Sequence, residues 1–251
     1  MTETYYNSLA PYYKFIYPDW DRSIERQAEA LDHVIREFGH EDSNSVLDAA
    51  CGIGTQSIGL AKLGYHVTAS DLSPGEIEQA RHEALMRGVE IKFQIADMRQ
   101  VWKIHQKEFD VVMACDNAVP HLLTNNDILL AFQQFYRCTK SDGVCIITVR
   151  DYAKQESKDK EKKMYPRLVH QANDGQIVIF DVWDIEGDYY EITTYITNDI
   201  GKPTAQTQVV RGGKYYCVEI ATLKKLFVEA GFREVCTLEN RFFQPLLVAK
   251  K

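Results

Sequence analysis

The sequence lacks the features that mark several large protein classes. Its six cysteines, at positions 51, 115, 138, 145, 217 and 236, include no Cys-x-x-Cys pair, and histidines do not gather near them. Zinc ribbons and dithiol redox motifs are thereby excluded, no metal is expected, and the thiols read as small buried hydrophobes in a reducing compartment. A basic excess is also missing: 29 Lys and Arg against 36 Asp and Glu leave a formal net charge of -7. Surfaces that hold nucleic acid phosphates are usually basic, so nucleic acid is not an expected partner. No apolar run is long enough to cross a bilayer, and no membrane association is expected. The first residues, Met-Thr-Glu-Thr-Tyr-Tyr, show neither the basic nor the apolar region of a secretory signal, and the expected location is the cytoplasm. Internal repeats are absent, and the one biased stretch, the charged run 151–163, reads as a solvated loop.

What is present is ordinary globular material, 45% hydrophobic and 26% charged, in 251 residues. That suffices for one large α/β domain or a core with an insertion. Residues 1–19 are crowded with aromatics, among them Tyr5, Tyr6, Tyr12, Tyr13, Phe15 and Tyr17. From 20 to 38, Ile24, Ala28, Leu31, Val34, Ile35 and Phe38 recur at steps of three and four, which predicts an amphipathic helix closed by Gly39. Strands over 45–49, 66–70, 91–95, 109–114 and 144–150 then alternate with helices over 55–63, 74–87 and 127–140. Ser73, Pro74 and Glu76 spell a helix start, with Ser as N-cap, Pro at the first helical position and Glu three residues on. Such a βα series predicts a parallel, doubly wound sheet with right-handed crossovers. Segments 176–184, 189–197 and 206–212 break the order and predict a small antiparallel sheet, before a helix over 218–230 and strands over 234–238 and 243–249. The expected fold is α/β: a Rossmann-like, seven-stranded, mostly parallel sheet with an antiparallel β insertion after its fifth strand. The expected segments are 1–40, an aromatic stretch and cap helix; 41–150, the ligand-binding core; 151–215, a lid loop and the insertion; and 216–251, the closing helix and strands.

The densest motif is Val-Leu-Asp-Ala-Ala-Cys-Gly-Ile-Gly-Thr at 46–55, at the turn between the first strand and its helix. Small residues there let the backbone approach a ligand closely, and the helix N-terminus offers free N–H groups. The dinucleotide fingerprint wants a third glycine at position 57, where this chain has Ser57. Asp71 ends the second strand and can accept from two ribose hydroxyls. Its other reading is a helix cap or loop ion pair, but Ser73 already supplies the cap. Asp97 ends the third strand, where a carboxylate can accept from the exocyclic amine of adenine. The fourth strand runs into Cys115, Asp116, Asn117, Ala118, Val119, Pro120 and His121. All of these fall at the C-terminal edge of one parallel sheet, where open α/β folds bind ligands.

In order along the chain, 46–55, Asp71, Ala96-Asp97-Met98 and 109–123 resemble the motifs of class I S-adenosylmethionine (SAM)-dependent methyltransferases. Residues 218–249 resemble the antiparallel end of that family's sheet, so the likeness covers nearly the whole chain. More narrowly, the chain resembles the glycine and glycine/sarcosine N-methyltransferases. Residues 117–121 are similar to that group's Asn-x-x-x-His-Leu loop, Arg150-Asp151-Tyr152 to its Arg-Asn-Tyr-Asp, and the Tyr-rich N-terminus and the β insertion before Lys214-Tyr215-Tyr216 fit as well.

The resemblance implies SAM as cofactor, S-adenosylhomocysteine as product and a small-molecule acceptor. It implies that Ala50, Gly52 and Gly54 line the methionine part, that Asp71 holds the ribose, that Leu72 packs on the adenine, and that Asp97 and Met98 read its edge. Asp48, Cys115 and Tyr17 complete the cofactor set. Arg26 matches an arginine that grips the cofactor's carboxylate, its alternative being a surface ion pair. Asn117 and His121 are the catalytic pair facing the acceptor, with orientation of its own loop as the other reading of His121. Arg150 would hold a substrate carboxylate through its guanidinium fork, or else form an ion pair at the rim. Tyr6 and Tyr152 join it at the substrate. Ala50 departs from the family by replacing the first glycine of the loop. The N-terminal arm is shorter than in the tetrameric glycine enzymes, which leaves a homo-oligomer open.

The chemistry so implied is an in-line displacement at the sulfonium methyl, driven by alignment and water exclusion. A neutral amine needs no strong base. N-methylation of an amine or amino acid stands first, and O- or C-methylation of another metabolite remains open. So do a SAM-binding protein without catalysis and an NAD-linked oxidoreductase, although Ser57 and the antiparallel ending weigh against the last.

Overall fold

A computed structural model describes residues 2–40, 42–154, 160–172 and 175–251. Seven strands form the core sheet: β1 Ser45–Asp48, β2 His66–Asp71, β3 Lys92–Ile95, β4 Phe109–Ala114, β5 Thr139–Thr148, β10 Arg233–Leu238 and β11 Leu246–Lys250. Their order is β3-β2-β1-β4-β5-β11-β10, with β11 antiparallel to both neighbours and the others paired in parallel. The strand sequences explain this placement. Val46, Leu47, Val111, Val112, Met113, Ile146 and Ile147 are all 0% exposed, because a parallel sheet is covered on both faces and needs near-continuous apolar strands.

Alternate residues serve the two faces. Val46, Val111 and Val144 pack with Ile24 and Leu31 of α2 (Trp20–Phe38), Ile58 of α3 (Thr55–Lys62) and Ile77 of α4 (Pro74–Met86). Leu47, Val112 and Ile147 pack with Phe132 and Phe135 of α6 (Asn125–Cys138) and Phe227 of α7 (Ile220–Glu229). The short helix α5, Val101–His105, lies beside α6. Asp19 caps α2 by accepting from the Arg22 N–H at 3.0 Å. Gly39 closes that helix as expected but not through a left-handed turn, since its φ is -85°. A Cβ there would stand 2.7 Å from the Ile35 carbonyl oxygen, so close backbone approach is what requires glycine.

The insertion is a four-stranded antiparallel sheet: β6 Glu161–Ala172, β7 Gly175–Glu186, β8 Tyr189–Asp199 and β9 Gln206–Tyr216. The expectation had three strands. The fourth, β6, begins inside the charged run read as a loop, because alternating Lys and Glu on an exposed edge obscure the period of two. Part of that run, 155–159, lies outside the described residues. Strand β11 starts three residues later than expected, since Gln244 is drawn into hydrogen bonds with Thr148 and Asp116.

The aromatic N-terminus also forms helix, α1 over Thr2–Leu9 and a 3-10 turn over Ala10–Ile16. It bridges the two sheets at the C-terminal edge of the core. Asn7 Oδ1 accepts from Ser73 Oγ at 2.7 Å and from the Gly75 N–H at 2.8 Å. On the other side Tyr5 and Leu9 pack against Ile179, Ile192 and Ile196 of the insertion. Gly213 matters there, because a Cβ would lie 3.0 Å from the Tyr5 ring. Among the described residues no helix is long and apolar enough to cross a membrane.

Candidate active site

A cavity of about 390 Å³ opens at this edge, between the turns after β1, β2, β3 and β4 and the N-terminal helix. Its floor is the turn after β1, where Gly52 and Gly54 hold φ of +52° and +91°. Two carboxylates fix that turn. Asp48, 1% exposed, accepts from Ser57 Oγ at 2.7 Å and from the Ala50 N–H at 3.3 Å. Burial pushes its pKa up to about 7. Asp71 accepts from the Gly52 N–H and the Ser73 N–H, both at 2.9 Å, so one side chain ties the first turn to the second. Burial raises the Asp71 pKa too, while those two bonds lower it. Ser73 caps α4 as expected, accepting from the Glu76 N–H at 3.1 Å.

Most of the expected cofactor set lines the cavity: Ala50, Gly52, Asp71, Leu72, Asp97, Met98, Cys115 and Tyr17. Three members do not. Asp48 lies beneath the turn and braces it rather than facing a ligand, which also accounts for Ser57 where dinucleotide folds have glycine. Gly54 packs towards Ile58 and Ala80 at the start of α3. Arg26 is exposed on α2 and is not part of the wall, because the helix turns Ser23 and Gln27 inward instead. Asp97 lines the cavity but is already engaged. Arg99 grips it through Nε at 3.1 Å and Nη2 at 2.6 Å, and reaches Asp127 at 2.9 Å. The sequence reading missed Arg99, although a cation two residues after Asp97 was visible.

At the other end the chain turns through two left-handed residues, Asp116 and Asn117, with φ of +54° and +63°. That turn decides which side chain meets the cavity. Asp116 lines it and accepts from the Tyr17 hydroxyl at 3.1 Å. Asn117 is carried the other way and is 3% exposed. Its amide meets the Tyr152 hydroxyl at 2.8 Å, and its Oδ1 accepts from the Arg150 N–H at 3.0 Å. Asn117, expected to face the acceptor, is thus not among the residues lining this cavity and holds the Arg150 segment. Tyr152 likewise sits in this buried knot with Tyr190, at 3.0 Å, and not on the cavity wall.

His121 does reach the wall, with Tyr6. Its Nδ1 lies 2.9 Å from the Lys214 carbonyl oxygen, which can only accept, so Nδ1 carries the hydrogen. Nε2 then accepts from the Tyr6 hydroxyl at 2.7 Å, and Tyr6 in turn accepts from Tyr215 at 2.9 Å. Burial lowers the His121 pKa to about 4, so the ring is neutral near pH 7. Burial likewise raises Tyr6 well above the usual phenol value.

Arg150 does not line the cavity but lies within electrostatic reach of Tyr215 and of Asp116, which does. Burial lowers its pKa, but the Tyr190, Tyr215 and Tyr152 hydroxyls and Asp116 outweigh that and leave it raised. Its guanidinium carbon lies 4.5 Å over the Trp183 ring. Among the described residues it has no carboxylate in ion-pair contact, and Asp116 acts on it only through its charge.

The residues 46–143 match the family model of a methyltransferase domain. A glycine/sarcosine N-methyltransferase of Parasynechococcus marenigrum (strain WH8102) is 33% identical over 136 residues, 53% of this chain and 48% of that protein. A putative methyltransferase of Geobacillus sp. (strain WCH70) is 24% identical over 236 residues, 90% of this chain and 88% of that protein. The chain thus spans about half the length of the glycine/sarcosine relative it matches. The structure of SAM-bound CalS10, an amino pentose methyltransferase from Micromonospora echinaspora, superposes with a TM-score of 0.75 at 18% identity, covering 91% of each chain. Residues 46–143 are thus similar to a methyltransferase domain, and the strand order together with the superposition gives the chain the fold of the class I methyltransferases.

Proposed function

We propose that the protein transfers a methyl group from SAM to the nitrogen of a small amine or amino acid, of the size of glycine or sarcosine. The observation that carries the acceptor class is Arg150, a cation set against Trp183 with no carboxylate in ion-pair contact among the described residues. A half-buried guanidinium that no described carboxylate engages is free to take an incoming carboxylate through its fork. The names of the relatives, a glycine/sarcosine enzyme and an amino pentose enzyme, support nitrogen as the methylated atom.

The cavity fits the cofactor. The Asp71 carboxylate, held by two backbone N–H groups, suits a pair of ribose hydroxyls, and Leu72 and Met98 offer apolar surface for the adenine. SAM supplies an electrophilic methyl group. The protein's own residues align the acceptor and exclude water. Tyr6 lines the cavity with its hydrogen committed to His121, and its oxygen, which also accepts from Tyr215, has one further lone pair for an amine N–H. Asn117 acts at one remove, by fixing the backbone that carries Arg150.

A methyl-transfer screen tests this. Glycine, sarcosine and related amino acids should be turned over, and Arg150→Lys should raise KM for them at least about tenfold with SAM affinity little changed, since lysine keeps the charge but loses the fork. Turnover of phenols and alcohols alone, or an unchanged KM in the variant, would defeat the amino-acid reading.

A further inference from the structure

Arg150, itself half-buried, lies against a side chain whose donor is buried. The Trp183 indole nitrogen is fully buried and has no hydrogen-bond partner among the described residues. An indole nitrogen can only donate, and buried donors are rarely left unpaired without a reason. The two unpaired donors belong to side chains in direct contact, guanidinium carbon to ring at 4.5 Å. They also share a firm support. Trp183 stacks on Tyr190 at 4.6 Å and 9°, Tyr190 stacks on Tyr215 at 4.7 Å and 3°, and Tyr215 lies against His121 at 3.9 Å with the rings tilted by 39°. This row of rings runs from the cavity wall at His121 across the insertion to Arg150's side of it.

We propose that Arg150 and Trp183 form a two-donor clamp for the acceptor's carboxylate, the guanidinium binding one oxygen and the indole N–H the other. The clamp rests on the carboxylate-bearing acceptor proposed above. It adds a specificity residue that the insertion, not the core, contributes. Arginine alone would hold any small anion; the fixed direction of an indole N–H selects an anion whose second oxygen lies where a planar carboxylate puts it. The rigid stack supplies that direction, because Trp183 cannot swing away without unstacking Tyr190.

The test uses the full chain saturated with S-adenosylhomocysteine and acetate as the probe, a carboxylate that cannot be methylated. Trp183→Phe keeps a ring beneath Arg150 and removes the N–H. Hydrogen bonds to a charged group imply a loss of about tenfold or more in acetate affinity by calorimetry, with SAM affinity retained. In nitrogen-15 spectra of the unmodified protein, one of three indole N–H signals should move downfield as acetate is added, and it should be the one absent from the variant. Acetate binding equally well to both proteins would overturn the clamp while leaving Arg150 as the carboxylate's partner. Acetate binding to neither would overturn the clamp together with the carboxylate reading. Should the variant fail to fold, an indole spectrum indifferent to acetate in the unmodified protein overturns the clamp by itself.

Discussion

Asp71 offers the sharpest perturbation of the cofactor end. Its two oxygens accept from the Gly52 and Ser73 N–H groups at 2.9 Å, and it lines the cavity as well. Asp71→Ala removes both functions, and each has a size. Charge-assisted hydrogen bonds to ribose hydroxyls contribute about 1.5–3 kcal/mol, so SAM should bind at least about tenfold more weakly. The two backbone donors left without their acceptor cost a further ~1–3 kcal/mol of stability, a fall in Tm of several degrees for a chain of this length. Calorimetry of SAM binding and a thermal melt read the two effects separately. Asp71→Asn divides them, since it keeps one acceptor oxygen for a backbone N–H but turns an NH₂ group towards the other. It should recover part of the stability and little of the affinity. A folded Asp71→Ala protein with unaltered SAM affinity would refute the ribose assignment, and unaltered stability would refute the bridging role.

Two more outcomes follow from buried bonds beneath and beside the cavity. Ser57→Ala removes the donor to Asp48 at 2.7 Å in a fully buried place, and should cost ~1–3 kcal/mol in a denaturant titration with weaker SAM binding as the turn loosens. His121 has a folded pKa of about 4 against about 6.5 unfolded, so its stabilising contribution is complete above pH 6.5 and is lost as pH falls towards 4. Relative to His121→Gln, which does not titrate, the unmodified protein should lose up to about 3 kcal/mol across that window; parallel stability curves would show that the ring is not held neutral.

The core was legible because its signals are local. Uniformly apolar strands, the Ser73-Pro74 helix start and the glycines of the first turn each act within a few residues, and each appears where expected. Asp71 was legible for the same reason: a strand end fixes where its side chain goes. What escaped depends on contacts far apart in sequence. Asn117 and Asp116 look equally suited to face a ligand, and only the two left-handed residues decide between them. Arg26 and Gln27 differ by one step on a helix, and the packing of α2 on α3 chooses Gln27, which accepts from Gln56 at 2.7 Å. The N-terminal tyrosines carried no local sign of their roles, because Tyr6 acquires its partners from His121 and Tyr215, 115 and 209 residues away.

The charge layout of the finished site argues for the ligand independently of any motif. Beneath and around the first turn lie Asp48, Asp71 and Glu76, and Glu76 is wholly buried with neither oxygen hydrogen-bonded among the described residues. Asp116 closes the same side. A dinucleotide would bring its pyrophosphate to that turn, two negative charges beside acids whose ionised forms burial already disfavours, and so would disfavour their ionisation further. A cofactor bearing a sulfonium and an ammonium meets the opposite situation, and its positive charge lowers the cost of ionising Asp71 and Asp48. Arg150 stacks on Trp183 at the Asp116 end of this bed, with no carboxylate in ion-pair contact among the described residues. If the acceptor is the carboxylate proposed above, a cationic cofactor at the acids and an anionic acceptor at Arg150 leave each charged group with a partner. It follows that loss of the cofactor's positive charge on methyl transfer should weaken its hold on the turn, so that the product leaves an acidic bed it no longer neutralises.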